Sequence, residues 1–234
     1  DIEADLAKSQ SDLSFVFHTC SGTNIGLVRT TNEDAFYVDE KKGLWLVADG
    51  MGGQLRGDKA SASVIDNIRS FTPLETLTES IKDLETRFLL ANNTCRNMYG
   101  KKVVGSTVAA LFAYRSLAIF LWAGDSRIYR LRDGVLALMT EDHCLAQERF
   151  RRGEISRDEA QLLPSANVLT RAIGIHQNLR IEMQSAVIQS GDRYLISSDG
   201  LYREFAFDEV QNMLRGNAPE KILKKITCQA LERG

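Results

Sequence analysis

The order of apolar and polar positions along the chain reads first as strands. Alternating or continuous apolar runs fall at Ser14–Thr19, Ala35–Val38, Leu44–Ala48, Thr107–Ala113, Ala118–Ala123, Ile128–Leu131, Val135–Met139, Arg180–Ala186 and Tyr194–Ser197. The Asp133–Gly134 pair in "RLRDGVLAL" predicts a tight hairpin, and "AYRSLAIF" and "IQSGDRYLI" share its look. Strands joined this closely pair antiparallel, because a parallel pair needs a long crossover. Helical spacing predicts Asp58–Ser70 and Leu74–Met98, the second with Leu77, Ile81, Leu84, Phe88 and Leu89 on one face. Two more helices are predicted near the end. One is "FDEVQNMLRG", opened by an Asp208 cap and stopped at Gly216; the other is "PEKILKKITCQALERG", with Pro219 in its first turn. Between these blocks, Asp142 to Gly174 is helical only in patches, with Ser156 and Glu159 at capping-box spacing, and reads as an irregular insertion over the sheet.

The order predicts an α+β fold in which antiparallel sheets pack together under helices on their outer faces. It is too irregular for a doubly wound parallel sheet, and no repeat or internal boundary divides the 234 residues, so a single domain is expected. With 44% hydrophobic and 26% charged residues and only 3 Pro, the composition leaves little room for disordered linkers. A net charge of -2 gives no electrostatic case for a nucleic-acid partner. The most apolar stretch, Leu111 to Gly124, is broken by Arg115 and Ser116 and falls short of the about 20 residues of a membrane helix. The opening "DIEADLAKSQ" is acidic and polar, so no secretory leader is expected, and the absent initiator Met suggests a trimmed start. Cys20, Cys95, Cys144 and Cys228 form no CxxC pair and are expected to be free thiols of a reducing cytoplasm.

The candidate chemistry lies at strand tips. Asp-Gly alone says little, since Asp133–Gly134 is the same dipeptide in a hairpin. A more specific pattern recurs: a strongly apolar run ends in a carboxylate beside glycine, in "LWLVADG" at Asp49, "YLISSDG" at Asp199 and "IFLWAGD" at Asp125. Glu33 and Asp34 stand at the entry of another strand. Carboxylates gathered at one sheet edge repel one another, and a hard divalent cation with oxygen ligands removes that difficulty; the glycine beside the aspartate lets a backbone carbonyl turn toward the ion. His18, His143 and His176 are isolated, so zinc is not indicated and each reads as a surface or packing residue. Arg29, just upstream of the acidic pair, has the planar donors that match phosphate.

These residues resemble the metal-dependent serine/threonine phosphatases of the protein phosphatase 2C type in their small bacterial form. The match is ordered along nearly the whole chain through "GLVRTTNEDAF", "LWLVADGMGG", "GDKAS", "GSTVAAL", "WAGDSRIYRLRDG", "LTRAIG" and "GDRYLISSDGL". The resemblance implies a four-layer α-β-β-α sandwich with two core Mn²⁺ or Mg²⁺ ions and a third in bacterial members. Asp49 is then similar to the bridging ligand, Gly50 to the residue lending its carbonyl, Asp199 to the second core ligand, and Asp125 to the ligand that joins Asp199 on the third ion. Glu33 and Asp34 resemble the pair holding metal or its water, and Arg29 the phosphate-binding arginine. The implied reaction is direct hydrolysis of phosphoserine or phosphothreonine in substrates of an opposing kinase, by a monomeric cytoplasmic enzyme.

The sequence departs from the family at two places. Met51 stands where eukaryotic members carry a catalytic His, and a metal-bound water is the expected substitute acid. Members usually close with a further strand after an Asp-Asn ligand, whereas this sequence stops at "ALERG"; a chain lacking that strand is expected to bind metal weakly and turn over slowly. Residues 142–174 match the family's flap, and its basic "RFRRG" (Arg149 to Gly153) is a candidate attractor for a phosphopeptide. No cysteine has an Arg six residues later and no GxxxxGK[ST] loop is present, so a cysteine phosphatase and an NTPase are not indicated. A catalytically weak or inactive phosphatase-like regulatory binding module is the remaining alternative.

Overall fold

The computed structural model describes residues 15–52, 57–98, 103–156, 159–160, 163, 168–216 and 218–234. The opening decapeptide, Ser14, Gly53 and parts of the 142–174 insertion lie outside them. Among the described residues, nine strands form two antiparallel sheets. They are β1 (Asp34–Asp39), β2 (Leu44–Met51), β3 (Gly105–Ser106), β4 (Val108–Tyr114), β5 (Leu117–Ala123), β6 (Arg127–Arg132), β7 (Val135–Leu138), β8 (Glu182–Val187) and β9 (Arg193–Ser197). The larger sheet runs β1-β2-β4-β5-β8 with β3 beside β2, and the smaller runs β7-β6-β9. The helices are α1 (Gly57–Arg69), α2 (Leu77–Met98), α3 (Leu145–Arg151), α4 (Asp199–Tyr202), α5 (Phe207–Leu214) and α6 (Pro219–Arg233).

Three apolar clusters account for the predicted four layers. Alternate residues of β2, β4 and β5, such as Leu46, Phe112 and Ile119, bury against Val64 and Ile68 of α1 and Leu84 and Phe88 of α2. The opposite face, with Trp45, Leu111, Phe120 and Trp122, meets Ile128 and Ile196 of the smaller sheet. That sheet's outer face, carrying Tyr129 and Leu131, is covered by Leu201, Val210, Met213, Ile222 and Ile226 from the last three helices. The central strands β2, β4 and β5 therefore face apolar neighbours on both sides, and β5 is buried along its whole length. Among the described residues no helix is long and apolar enough to cross a membrane, and the four cysteines are free.

Several predicted elements change. Phe15 to Thr19 joins neither sheet. Side chains hold it instead: Phe17 meets the Trp45 ring edge-on at 4.8 Å, Trp45 Nε1 donates to Thr19 Oγ1 at 2.9 Å, and the Thr19 amide donates to Glu40 Oε1 at 2.9 Å. "IQSGDRYLI" is not a hairpin but a crossing between sheets, because β8 pairs with β5 while β9 pairs with β6. The long helix begins at Leu77 rather than Leu74, since Thr76 and Glu79 form a reciprocal cap with bonds of 3.2 and 3.3 Å. Its buried face continues through Ala91, Asn92 and Cys95 and leaves Leu89 exposed. Ala206, not Asp208, caps α5, because Glu209 Oε2 reaches back to the Ala206 amide at 2.9 Å. The Asp133–Gly134 hairpin forms as predicted, with both residues at positive φ.

Candidate active site

β2 carries the apolar run "LWLVA" past Ala48 into Asp49, Gly50 and Met51, so Asp49 is a strand residue and not the turn residue that its Asp-Gly dipeptide suggests. The extension exists because Gly50 and Met51 pair with the two-residue β3. Glycine is required at position 50 by close packing: a Cβ there would lie 2.0 Å from the Gly57 carbonyl oxygen at the start of α1. Three contacts fix the Asp49 backbone. Its amide donates to Thr107 Oγ1 at 3.0 Å, and its carbonyl accepts from the Thr107 amide at 2.8 Å and from Ser106 Oγ at 3.1 Å. Thr107 Oγ1 also lies 2.6 Å from Ser126 Oγ, which links this tip to the turn that carries Asp125.

Four aspartates feel one another here. Asp34 is the ladder partner of Asp49, and each carboxyl perturbs the other. Burial first, then the negative charges of Asp34, Asp199 and Asp125, push the Asp49 carboxyl up to about 8. Burial also raises Asp34, opposed by the Ser198 hydroxyl, which donates to its Oδ2 at 2.7 Å; Asp199 and Glu33 add to the rise. Asp125 is only 6% exposed and is raised by burial, while Tyr202 opposes this by donating its hydroxyl at 2.9 Å. Asp199 opens α4 and pairs with Arg203 at 2.7 Å.

Glu33 lies beside this group, its Oε1 accepting the Gly57 amide at 2.9 Å and its carbonyl accepting the Gly50 amide at 3.0 Å. Arg29 does not join the group: it is exposed on the preceding loop and has no ion pair or hydrogen bond among the described residues. Candidate residues from β1, β2, the β5–β6 turn and α4 thus converge, while the arginine stands apart.

The donor set fits a hard divalent cation in kind: it is oxygen-only, at least half-buried and rich in like charge. As they stand, no three Asp, Glu, His or Cys among the described residues are set to hold an ion. The reason is visible in their partners. Asp34 accepts from Ser198, Asp125 accepts from Tyr202 and Asp199 pairs with Arg203, so three of the four aspartates are engaged by other side chains.

The insertion is rooted next to Asp125. The His143 amide donates to the Gly124 carbonyl at 2.9 Å, and the Gly124 amide donates to His143 Nδ1 at 3.1 Å. Burial and then the Arg171 charge lower His143 to about 4, so it is a neutral packing residue stacked on Trp122. Within "RFRRG", Arg149 pairs with Glu154 at 3.2 Å and Arg152 with Glu148 at 3.1 Å, which leaves Arg151 as the unpaired cation of that run among the described residues. Ser156 and Glu159 form the predicted reciprocal cap.

Sequence reasoning gave no role to Ser198, Thr107, Tyr202 or Arg127. Ser198 and Tyr202 carried a usable signal, since they flank Asp199 at positions that a short helical turn brings to one side. Thr107 lay within "GSTVAAL" but showed no chemistry until strand pairing placed it against Asp49.

The profile of the family described as Protein phosphatase 2C matches residues 27–230. The serine/threonine phosphatase stp of Listeria monocytogenes is 32% identical over 207 residues, covering 82% of this chain and 81% of that one. Among solved structures, PppA, described as a key regulatory component of T6SS in Pseudomonas aeruginosa, superposes with a TM-score of 0.81 at 36% identity, covering 90% and 89% of the two chains. The catalytic domain of the serine/threonine phosphatase PstP, in complex with two manganese ions, gives a TM-score of 0.77 at 28% identity, covering 89% of each chain.

Proposed function

We propose, on the premise that this chain belongs to the protein phosphatase 2C family and is a serine/threonine phosphoprotein phosphatase, that it hydrolyses phosphoserine and phosphothreonine esters directly at the four-aspartate cluster. The observation that carries this reading is the convergence of Asp34, Asp49, Asp125 and Asp199, where burial and then the neighbouring charges push the Asp49 carboxyl up to about 8. Asp49 and the Gly50 carbonyl would hold two core ions, Asp199 one of them, Asp125 with Asp199 a third, and Glu33 and Asp34 the surrounding metal or water shell. When bound, Mn²⁺ or Mg²⁺ supplies an acidified water and neutralises charge on the phosphoryl oxygens. The manganese in PstP supports the choice of ion.

The chain's own residues do the rest. Thr107 and Ser106 fix the Asp49 backbone and so the point from which its side chain projects. Ser198 orients Asp34 by its 2.7 Å bond. Arg29, exposed and without a partner among the described residues, would grip the incoming phosphate by two parallel donors. We read residues 1–234 as one catalytic domain, acting as a cytoplasmic monomer on the phosphorylated proteins of a serine/threonine kinase. The relatives are named as phosphatases, which does not favour the regulatory-module alternative. The test is manganese-dependent hydrolysis of p-nitrophenyl phosphate and of a phosphothreonine peptide, abolished by Asp49→Asn; activity that survives this substitution would overturn the reading.

A further inference from the structure

Tyr202 stands where three groups from different parts of the fold meet. It closes the single turn of α4 that Asp199 opens, so the two residues lie three apart on one side of that turn. Its hydroxyl donates to Asp125 Oδ2 at 2.9 Å. Its ring is covered by the guanidinium of Arg127, whose Cζ lies 3.6 Å from the ring centroid. Arg127 is fixed in turn by two parallel bonds to Asp142, from Nε to Oδ1 at 2.9 Å and from Nη2 to Oδ2 at 2.6 Å. Asp142 is the first residue of the insertion, and the next residue, His143, is bonded in both directions to Gly124, the neighbour of Asp125.

We infer that Tyr202 is a positioning residue for Asp125, held in place by the Arg127–Asp142 pair behind its ring. The geometry separates this role from packing. A phenylalanine would fill the same space under Arg127, but only the phenol supplies a donor to the Asp125 oxygen. The phenol engages Oδ2 on one side and leaves the carboxylate's remaining lone pairs for a ligand. Carboxylates that serve as metal ligands are commonly fixed in this way by a hydrogen bond on the second oxygen, and losing such a bond typically weakens binding about 10- to 100-fold. Arg127 matters here for its flatness, since lysine keeps the charge but can neither cover the ring nor grip Asp142 with two parallel donors.

The inference rests on the proposed role of Asp125 as a metal ligand, and the experiment separates the two. Manganese is titrated calorimetrically into the metal-free protein, and Asp125→Ala identifies the binding step that depends on Asp125. In Tyr202→Phe that step is expected to weaken about 10- to 100-fold, with the remaining binding and the metal-free melting temperature little changed. Arg127→Lys is expected to weaken the same step, and the double variant to be no weaker than the worse single one, because both act on one oxygen. A Tyr202→Phe isotherm equal to that of the parent protein overturns the inference, as does additive loss in the double variant. If Asp125→Ala removes no binding step, the assignment of Asp125 itself fails, and the inference falls with it.

Discussion

Asp34 and Asp49 face each other across the β1–β2 ladder, a pairing of like residues that a sheet edge tolerates only when a proton or a cation sits between them. The consequence is a stability that depends on pH. The Asp49 carboxyl is held near 8 when folded, against an ordinary value of 3.8, so the metal-free fold binds a proton that the unfolded chain releases. Stability from this source is complete below about 4 and is lost as pH rises through about 8. The metal-free melting temperature is therefore expected to fall between pH 5 and 8.5. Asp49→Asn is expected to flatten that fall and to raise stability at pH 8 by about 2 kcal/mol, while abolishing activity. Thermal denaturation in chelator across this range checks it, and a parent protein equally stable at both ends contradicts it.

The hydroxyl of Thr107 serves both the Asp49 amide and Ser126 in a buried setting. Thr107→Val keeps the shape and removes the acceptor, leaving buried polar groups unpaired at a cost of about 1–3 kcal/mol. Manganese affinity is expected to drop with it, and Thr107→Ser to restore most of both. Chemical denaturation and manganese titration of the pair test this; a serine variant as weak as the valine one would show that the methyl group matters more than the hydroxyl.

Asp192 is a structural counterpart to these carboxylates. Arg132 grips it at 2.7 and 2.6 Å, Tyr194 donates at 3.0 Å and the Gln189 amide at 3.0 Å, all at the crossing from β8 to β9. Burial pushes the Asp192 carboxyl up, but these donors outweigh it and hold it below the usual range. Asp192→Ala leaves Arg132 without its partner and is expected to cost about 3 kcal/mol, or roughly 10 °C of melting temperature. Manganese affinity measured well below that melting temperature is expected to stay unchanged.

What was readable in the chain follows from what is local. The apolar run at Leu44–Ala48 fixes a buried strand by itself, and Asp125 and Asp199 each follow such a run, while their common site was implied only by the resemblance to the phosphatase family. The state of those carboxylates did not follow, because Tyr202 reaches Asp125 across 77 positions of sequence. The same limit explains Asp49, whose Asp-Gly dipeptide favours a turn until Gly105–Ser106 arrives from elsewhere to extend the ladder. Phe15–Thr19 shows the reverse failure: its alternation is that of a strand, yet pairing is a property of neighbours, and its contacts here are side-chain ones.

Arg29 supplies the sharpest separation of substrate binding from folding. It is exposed and has no partner among the described residues, so its removal costs the fold nothing that the structure records. A charge-assisted bidentate grip on phosphate is worth about 2–3 kcal/mol, which converts to roughly 30- to 150-fold in kcat/KM. Arg29→Ala is expected to lose that much toward a phosphothreonine peptide, with melting temperature and manganese affinity unchanged. Arg29→Lys is expected to recover only part of it, since an ammonium keeps the charge but not the two parallel donors. Steady-state kinetics on the three proteins decide the matter: equal kcat/KM for all of them would remove Arg29 from the site and leave phosphate recognition to the carboxylate-bound ions alone.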